Sequence, residues 1–163
     1  MRILLTAFEP YGDWSDNSSW LALVELLRNW PNHVELVTRR YPVDLATVRS
    51  RLNSDLQTDF DAVLHLGQAP GSPIIKLEAM ALNVAGCLEQ AGVELPYIVD
   101  SAPMAFRSRM PLATWNHTLA AAGIPSQISY HAGTYLCNAI MYLSHYYFYT
   151  RDLNTPVGLC ICH

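Results

Sequence analysis

Short apolar runs alternate with segments of helical period along the whole chain. Arg2 to Phe8 is a β-rich run that stops at the turn Glu9-Pro-Tyr-Gly12. Ser18 to Trp30 places Trp20, Leu23, Val24 and Leu27 on one helical face, with Asn17 or Ser18 as its N-cap. Val34 to Thr38 reads as a second strand, and Asp44 caps a helix carrying Leu45, Val48, Leu52 and Leu56. Ala62 to Leu66 is a buried strand ending in Gly67, and Ile74 to Val84 is a further extended run. Pro111 to Ala122 is helical, with Pro111 suited to the first turn and Gly123 to the C-cap. Ser126 to Ser129 is a short strand, Thr134 to Tyr149 a helix, and Val157 to His163 a closing strand.

Strands that alternate with helices predict helices on both faces of one sheet. The expected fold is α/β: a single-domain three-layer α/β/α sandwich over residues 1–163, with a mostly parallel, mixed and twisted sheet. Ligands of such folds gather at the carboxyl ends of the strands. Phe8 to Gly12, Gly67 to Gly71 and Gly133 fall there or at a helix entry.

Composition narrows the function. The 163 residues are 51% hydrophobic and 15% charged, with a net charge of −4. Arg39-Arg40 is only a pair, so no nucleic-acid footprint is expected. No apolar run reaches the roughly 18 residues that span a bilayer. Without a signal peptide, Cys87, Cys137, Cys160 and Cys162 read as free thiols in a reducing cytoplasm.

The chemistry centres on Cys137. It follows the Gly133 hinge and lies just inside the start of a helix. Unpaired N–H groups and the positive end of the helix dipole there favour a thiolate; the alternative reading is an ordinary buried core cysteine. Glu78 is a lone acid in Ile74-Ile-Lys-Leu-Glu-Ala-Met-Ala-Leu82, where alternation puts Ile74, Lys76, Glu78, Met80 and Leu82 on one face. It reads either as an acid that orients a histidine or as an edge carboxylate paired with Lys76. His163 ends a strand in which Leu159, Ile161 and His163 share one face while Cys160 and Cys162 share the other. That divergence argues against a Cys-x-Cys-His metal site. His65 reads as a satisfied core residue, His145 as structural, and His131 as part of the loop before Cys137. Phe8 and Tyr11 offer rings to sandwich a flat group, and Gln68 offers a donor and an acceptor for an amide edge. Gly67-Gln-Ala-Pro-Gly71 lacks the Gly-Lys-Ser/Thr ending of a phosphate loop.

Taken in order, Ala7-Phe-Glu-Pro-Tyr-Gly12, Asn17-Ser-Ser-Trp20, Gly67-Gln-Ala-Pro-Gly71, Leu77-Glu-Ala-Met-Ala-Leu-Asn83, Gly123-Ile-Pro125 and Ser129-Tyr-His-Ala-Gly-Thr-Tyr-Leu-Cys-Asn138 resemble the blocks of the pyroglutamyl peptidase I family. The resemblance implies a cysteine exopeptidase that removes an N-terminal pyroglutamyl residue from peptides, with no cofactor and no metal. It implies a triad of Cys137, Glu78 and His163, and a ring pocket of Phe8, Tyr11 and Gln68. It further implies a homo-oligomer, a dimer or tetramer.

The chain departs from the family pattern in four ways. Ser72 and Ala79 stand where the family has arginines, Ala85 to Val99 is short, and the chain stops at its histidine. A shortened chain lacking the family's C-terminal helix is therefore expected. The alternative function is a catalytically impaired homologue that acts as a binding or interaction protein.

Overall fold

The computed structural model describes residues 1–86 and 94–162, so Cys87 and His163 lie outside the described residues. Six strands form one sheet: β1 (Arg2–Phe8), β2 (Glu35–Tyr41), β3 (Ala62–Gln68), β4 (Ile75–Glu78), β7 (Ser126–Ser129) and β8 (Val157–Cys162). Their order is β2-β1-β3-β8-β4-β7. All neighbours are parallel except β4 and β8, which run antiparallel with Glu78 opposite Leu159 and Lys76 opposite Ile161. The sheet is therefore mixed and mostly parallel, as the alternation predicts.

Among the described residues, four helices cover the strand faces: α1 (Ser18–Arg28), α2 (Leu45–Asp55), α3 (Leu112–Ala121) and α4 (Leu136–Tyr149). One face buries Leu4, Val63, Val157, Leu159 and Ile161 against Val48 and Leu52 of α2 and Ala139, Ile140 and Leu143 of α4. The other sets Leu5, Ala7 and Leu66 against Leu23 of α1, and Leu77 against Leu112 of α3. Period-2 alternation sends neighbours such as Leu4 and Leu5 to opposite layers, which yields the three-layer sandwich.

The caps follow the sequence chemistry. The Asn17 side chain accepts from the Ser19 N–H at 3.0 Å, and Asp44 accepts from the Thr47 N–H at 2.8 Å. Each satisfies an orphan donor of a first turn. Pro111 is the residue before α3 rather than inside its first turn, and Gly123 follows the C-cap at φ +73°.

One expectation fails. The run Ile74 to Val84 is not a single strand. The chain breaks at Ala79, whose N–H donates to the Ser129 carbonyl and whose carbonyl accepts from the Ser108 N–H. It resumes as β5 (Met80–Leu82), paired antiparallel with β6 (Ala105–Arg107) in a separate two-stranded sheet. Met80 and Leu82 thus do not share a sheet face with Glu78. Alternation was misleading because Leu77, Glu78, Ala79 and Ala81 are all buried, so both sides of this run face protein. β6 left no signal in the sequence, since three residues show no period.

Candidate active site

The site forms where β1, β3 and β8 end, beneath the start of α4. Cys137 is the second residue of α4. Its sulfur lies on Gly67 of β3: a Cβ built on Gly67 would fall 2.6 Å from Sγ. A side chain at position 67 would require the sulfur to move, so glycine here is what lets the thiol lie against β3. Burial pushes the Cys137 thiol up to about 12; the Gln68 backbone N–H pulls it back, while Glu78 and Cys162 add to the rise. Burial therefore outweighs the helix-start effect expected from the sequence. A thiolate at this position requires a cationic partner.

Two hydrogen-bonded clamps hold α4 in place. Asn138 accepts from the Leu82 N–H at 2.8 Å and donates to the carbonyls of Leu82 and Val84 at 2.9 and 3.0 Å. Deeper in the core, His65 bonds the Thr6 hydroxyl at 2.7 Å through Nδ1 and the Ser144 hydroxyl at 2.9 Å through Nε2. All three residues are fully buried, and they join β1, β3 and α4. His65 is thus the satisfied core histidine that the sequence suggests, and His145 stacks on Phe106. Asn138 was visible only as a letter after the cysteine, because its partners are backbone atoms far away in the chain.

Glu78 lies on the face that carries α4, fully buried, and neither carboxylate oxygen has a hydrogen-bond partner among the described residues. Burial raises its pKa, opposed by Ser129, Lys76 and His131. The Ser129 hydroxyl stands outside hydrogen-bond geometry to either oxygen and instead accepts from the His131 N–H at 3.3 Å. The expected pairing of Glu78 with Lys76 is absent from the ion pairs of the described residues.

Phe8, Tyr11, Gln68, Tyr135, Leu136 and Cys137 line a cleft of about 70 Å³. The structure thus brings the predicted ring residues and the cysteine to one place. Burial raises the Tyr11 hydroxyl, with the thiol adding to the effect. The Gln68 side-chain oxygen accepts from the Ser18 N–H at 3.0 Å, which ties the cleft to the start of α1. A larger concavity of about 390 Å³ opens beside α2 and α4, around Arg49, Tyr146 and Arg151. It holds neither the thiol nor the buried acid, so chemistry rather than volume selects the small cleft.

The β8 residue on this face nearest the thiol is Ile161. It pairs with Gly67, and its Cγ1 lies 3.6 Å from the same Gly67 Cβ position. Sequence reasoning missed it, since an isoleucine in an apolar strand carries no signal.

The family model for pyroglutamyl peptidase matches residues 1–161. The chain belongs to this family. Among its relatives, the pyrrolidone-carboxylate peptidase of Clavibacter michiganensis is 35% identical over 147 residues, covering 86% of this chain and 68% of the relative. That of Thermococcus onnurineus is 34% identical, covering 97% and 81%. Among solved structures, an E192I mutant pyrrolidone carboxyl peptidase from Pyrococcus furiosus aligns with a TM-score of 0.87 at 30% identity, covering 99% of this chain and 80% of that one. The enzyme from Fervidobacterium islandicum AW-1 aligns at 0.88 and 28% with the same coverage. As a member of the pyroglutamyl peptidase family, the chain is a cysteine-type exopeptidase acting on peptides. No described helix is long and apolar enough to cross a membrane. Among the described residues, no group of three or more His, Cys, Asp or Glu is arranged to hold a metal.

Proposed function

We propose that this exopeptidase releases an N-terminal pyroglutamyl residue, with Cys137 as nucleophile, Glu78 as the acid that orients the base, and His163 as the base. The observation that carries the reading is the Cys137 sulfur, seated on Gly67 at the mouth of a cleft walled by Phe8 and Tyr11. The apolar rings suit the faces of a five-membered lactam, and Gln68 suits its amide edge.

The base takes the thiol proton as the sulfur attacks the pyroglutamyl carbonyl carbon. The tetrahedral oxyanion forms beside the free N–H groups at the start of α4, each such donor being worth about 3 kcal/mol. Collapse breaks the C–N bond, and the imidazolium returns its proton to the leaving amine. Water, activated by the same base, then cleaves the thioester. The pairing of Cys162 with Gln68, a residue of the cleft, supports a base taken from the position after it in the chain.

The test is turnover of a pyroglutamyl-coumarin amide by wild type and Cys137→Ser. Turnover that depends on Cys137 is expected, and equal rates overturn the assignment. We further propose a single-domain homo-oligomer, a dimer or tetramer, working in the cytoplasm. The described cysteines Cys137, Cys160 and Cys162 are all free, which suits a reducing compartment. Sedimentation equilibrium of the purified chain tests the assembly.

A further inference from the structure

A buried polar atom far from the thiol stands without a partner. His145 is only 8% exposed, and among the described residues its Nε2 makes no hydrogen bond. Native interiors leave few such atoms, and each calls for an explanation. The ring stacks on Phe106, with 5.5 Å between centroids. Burial, and then the nearby Arg109 charge, lower its pKa to about 4, so the imidazole is neutral at neutral pH. His145, Phe106 and Arg109 all line a cavity of about 190 Å³, together with Arg107, Tyr149 and Asn154. His145 lies eight residues beyond Cys137, about 12 Å along α4. This cavity shares no wall residue with the cleft that holds the thiol.

The polar groups of this wall are weighted towards donors. Arg109 Nη1 donates to Asn154 Oδ1 at 2.5 Å. A guanidinium can only donate, so the Asn154 amide must show it the oxygen and turn its NH2 elsewhere. Among the described residues neither Arg107 nor Arg109 joins an ion pair, and Asp152 on the same wall pairs with neither. A neutral imidazole with its proton on Nε2 adds one more donor. We propose that this cavity is a binding site for a small oxyanion, a phosphate or a carboxylate, held by Arg107, Arg109, the Asn154 amide and the Nε2–H of His145. An oxyanion supplies the acceptor that His145 lacks and meets two guanidinium groups with charge-assisted hydrogen bonds. A cation would face both arginines, and a neutral apolar group would leave every one of these donors unmet. The site uses neither Cys137 nor Glu78, so it stands or falls apart from the pyroglutamyl reading.

The experiment titrates inorganic phosphate, and separately acetate, into the full chain and follows Tm by differential scanning fluorimetry. Sodium chloride at matched ionic strength is the reference. At least one of the two anions should raise Tm saturably with a millimolar Kd, by about 3–5 °C at roughly ten times that Kd. The anion with the tighter titration names the source. His145→Phe keeps an aromatic ring against Phe106 and removes Nε2. It should lose most of the anion-induced shift while kcat/KM on a pyroglutamyl-coumarin amide stays unchanged. Asn154→Asp, at an exposed position, sets a carboxylate beside Arg109 where the anion would lie. It should abolish the shift, and it keeps the proposal testable if His145→Phe does not fold. A wild-type Tm that responds to phosphate and acetate no more than to chloride overturns the proposal. A shift that persists in folded Asn154→Asp or in folded His145→Phe overturns it as well.

Discussion

Gly67→Ala tests the seat of the thiol with the smallest possible change. The added methyl would fall 2.6 Å from Cys137 Sγ, about 1 Å inside an ordinary nonbonded contact. Two responses compete. If the backbones of β3 and α4 separate, the cost is that of overpacking a core, about 1–3 kcal/mol. That lowers Tm by roughly 2–10 °C for a chain of this size. If instead the sulfur turns about χ1 into another staggered well, folding loses little, but Sγ moves roughly 3 Å. The His65–Ser144 hydrogen bond ties α4 to β3 and resists their separation, so rotation should win. A displacement of 1 Å in a reacting group can cost about a hundredfold in rate. The expected outcome is a loss of kcat/KM of about a hundredfold or more with only a small change in Tm. Differential scanning fluorimetry and turnover of a pyroglutamyl amide, run on one preparation, measure both. A folded variant with kcat/KM within about twofold of wild type would refute the placement of the sulfur on Gly67.

Two further predictions concern buried charge. Glu78→Gln should lower kcat by about 10²–10⁴, the range seen when an orienting acid is neutralised, while leaving the fold as stable or more stable near neutral pH. The folded protein holds the Glu78 pKa above its ordinary 4.5, chiefly through burial. Its contribution to stability is therefore full below pH 4.5 and is lost as pH rises through the raised value; in urea denaturation from pH 4 to 7 the variant should gain stability relative to wild type as pH rises. His65 and His145 act in the opposite sense. Burial lowers them to about 3 and about 4, with His145 adding to the effect at His65 and Arg109 at His145. Both depressed values stabilise the fold above pH 6.5, and that stability is lost as pH falls towards 4, at up to about 1.4 kcal/mol per pH unit for each histidine; an unfolding free energy of the Glu78→Gln variant that stays flat from pH 6.5 to 4.5 would contradict the burial of both rings.

Much of the fold was legible because its strands and helices carry clean periods and caps. Asn17 and Asp44 cap the helices they precede, and β1, β3, β7 and β8 fall where apolar runs end at turns. The reading failed where period and burial part company. The run through Glu78 is covered on both sides, so alternation could not show the switch from β4 to β5 at Ala79. The cleft was legible in Phe8, Tyr11 and Cys137, whose residue types announce their chemistry. What stayed hidden was set by pairing across the sheet. The close approach at Gly67 comes from a sulfur 70 residues away in the chain. The thiol's environment was misjudged for a similar reason. Helix position argues for a thiolate, but burial, which only packing reveals, argues more strongly against one.

The Asn138 clamp also bears on motion. Its side chain borrows the backbone of Leu82 and Val84, which belong to the small β5–β6 sheet and its exit rather than to the main sheet. The first turn of α4 and β5 therefore share hydrogen bonds that break together. They form one cooperative opening unit, and the amides of Leu82 and of the turn holding Cys137 should exchange with solvent at a common rate. How often the nucleophile is released from its seat is then set by a peripheral two-stranded sheet of three-residue strands and not by the stability of the six-stranded core.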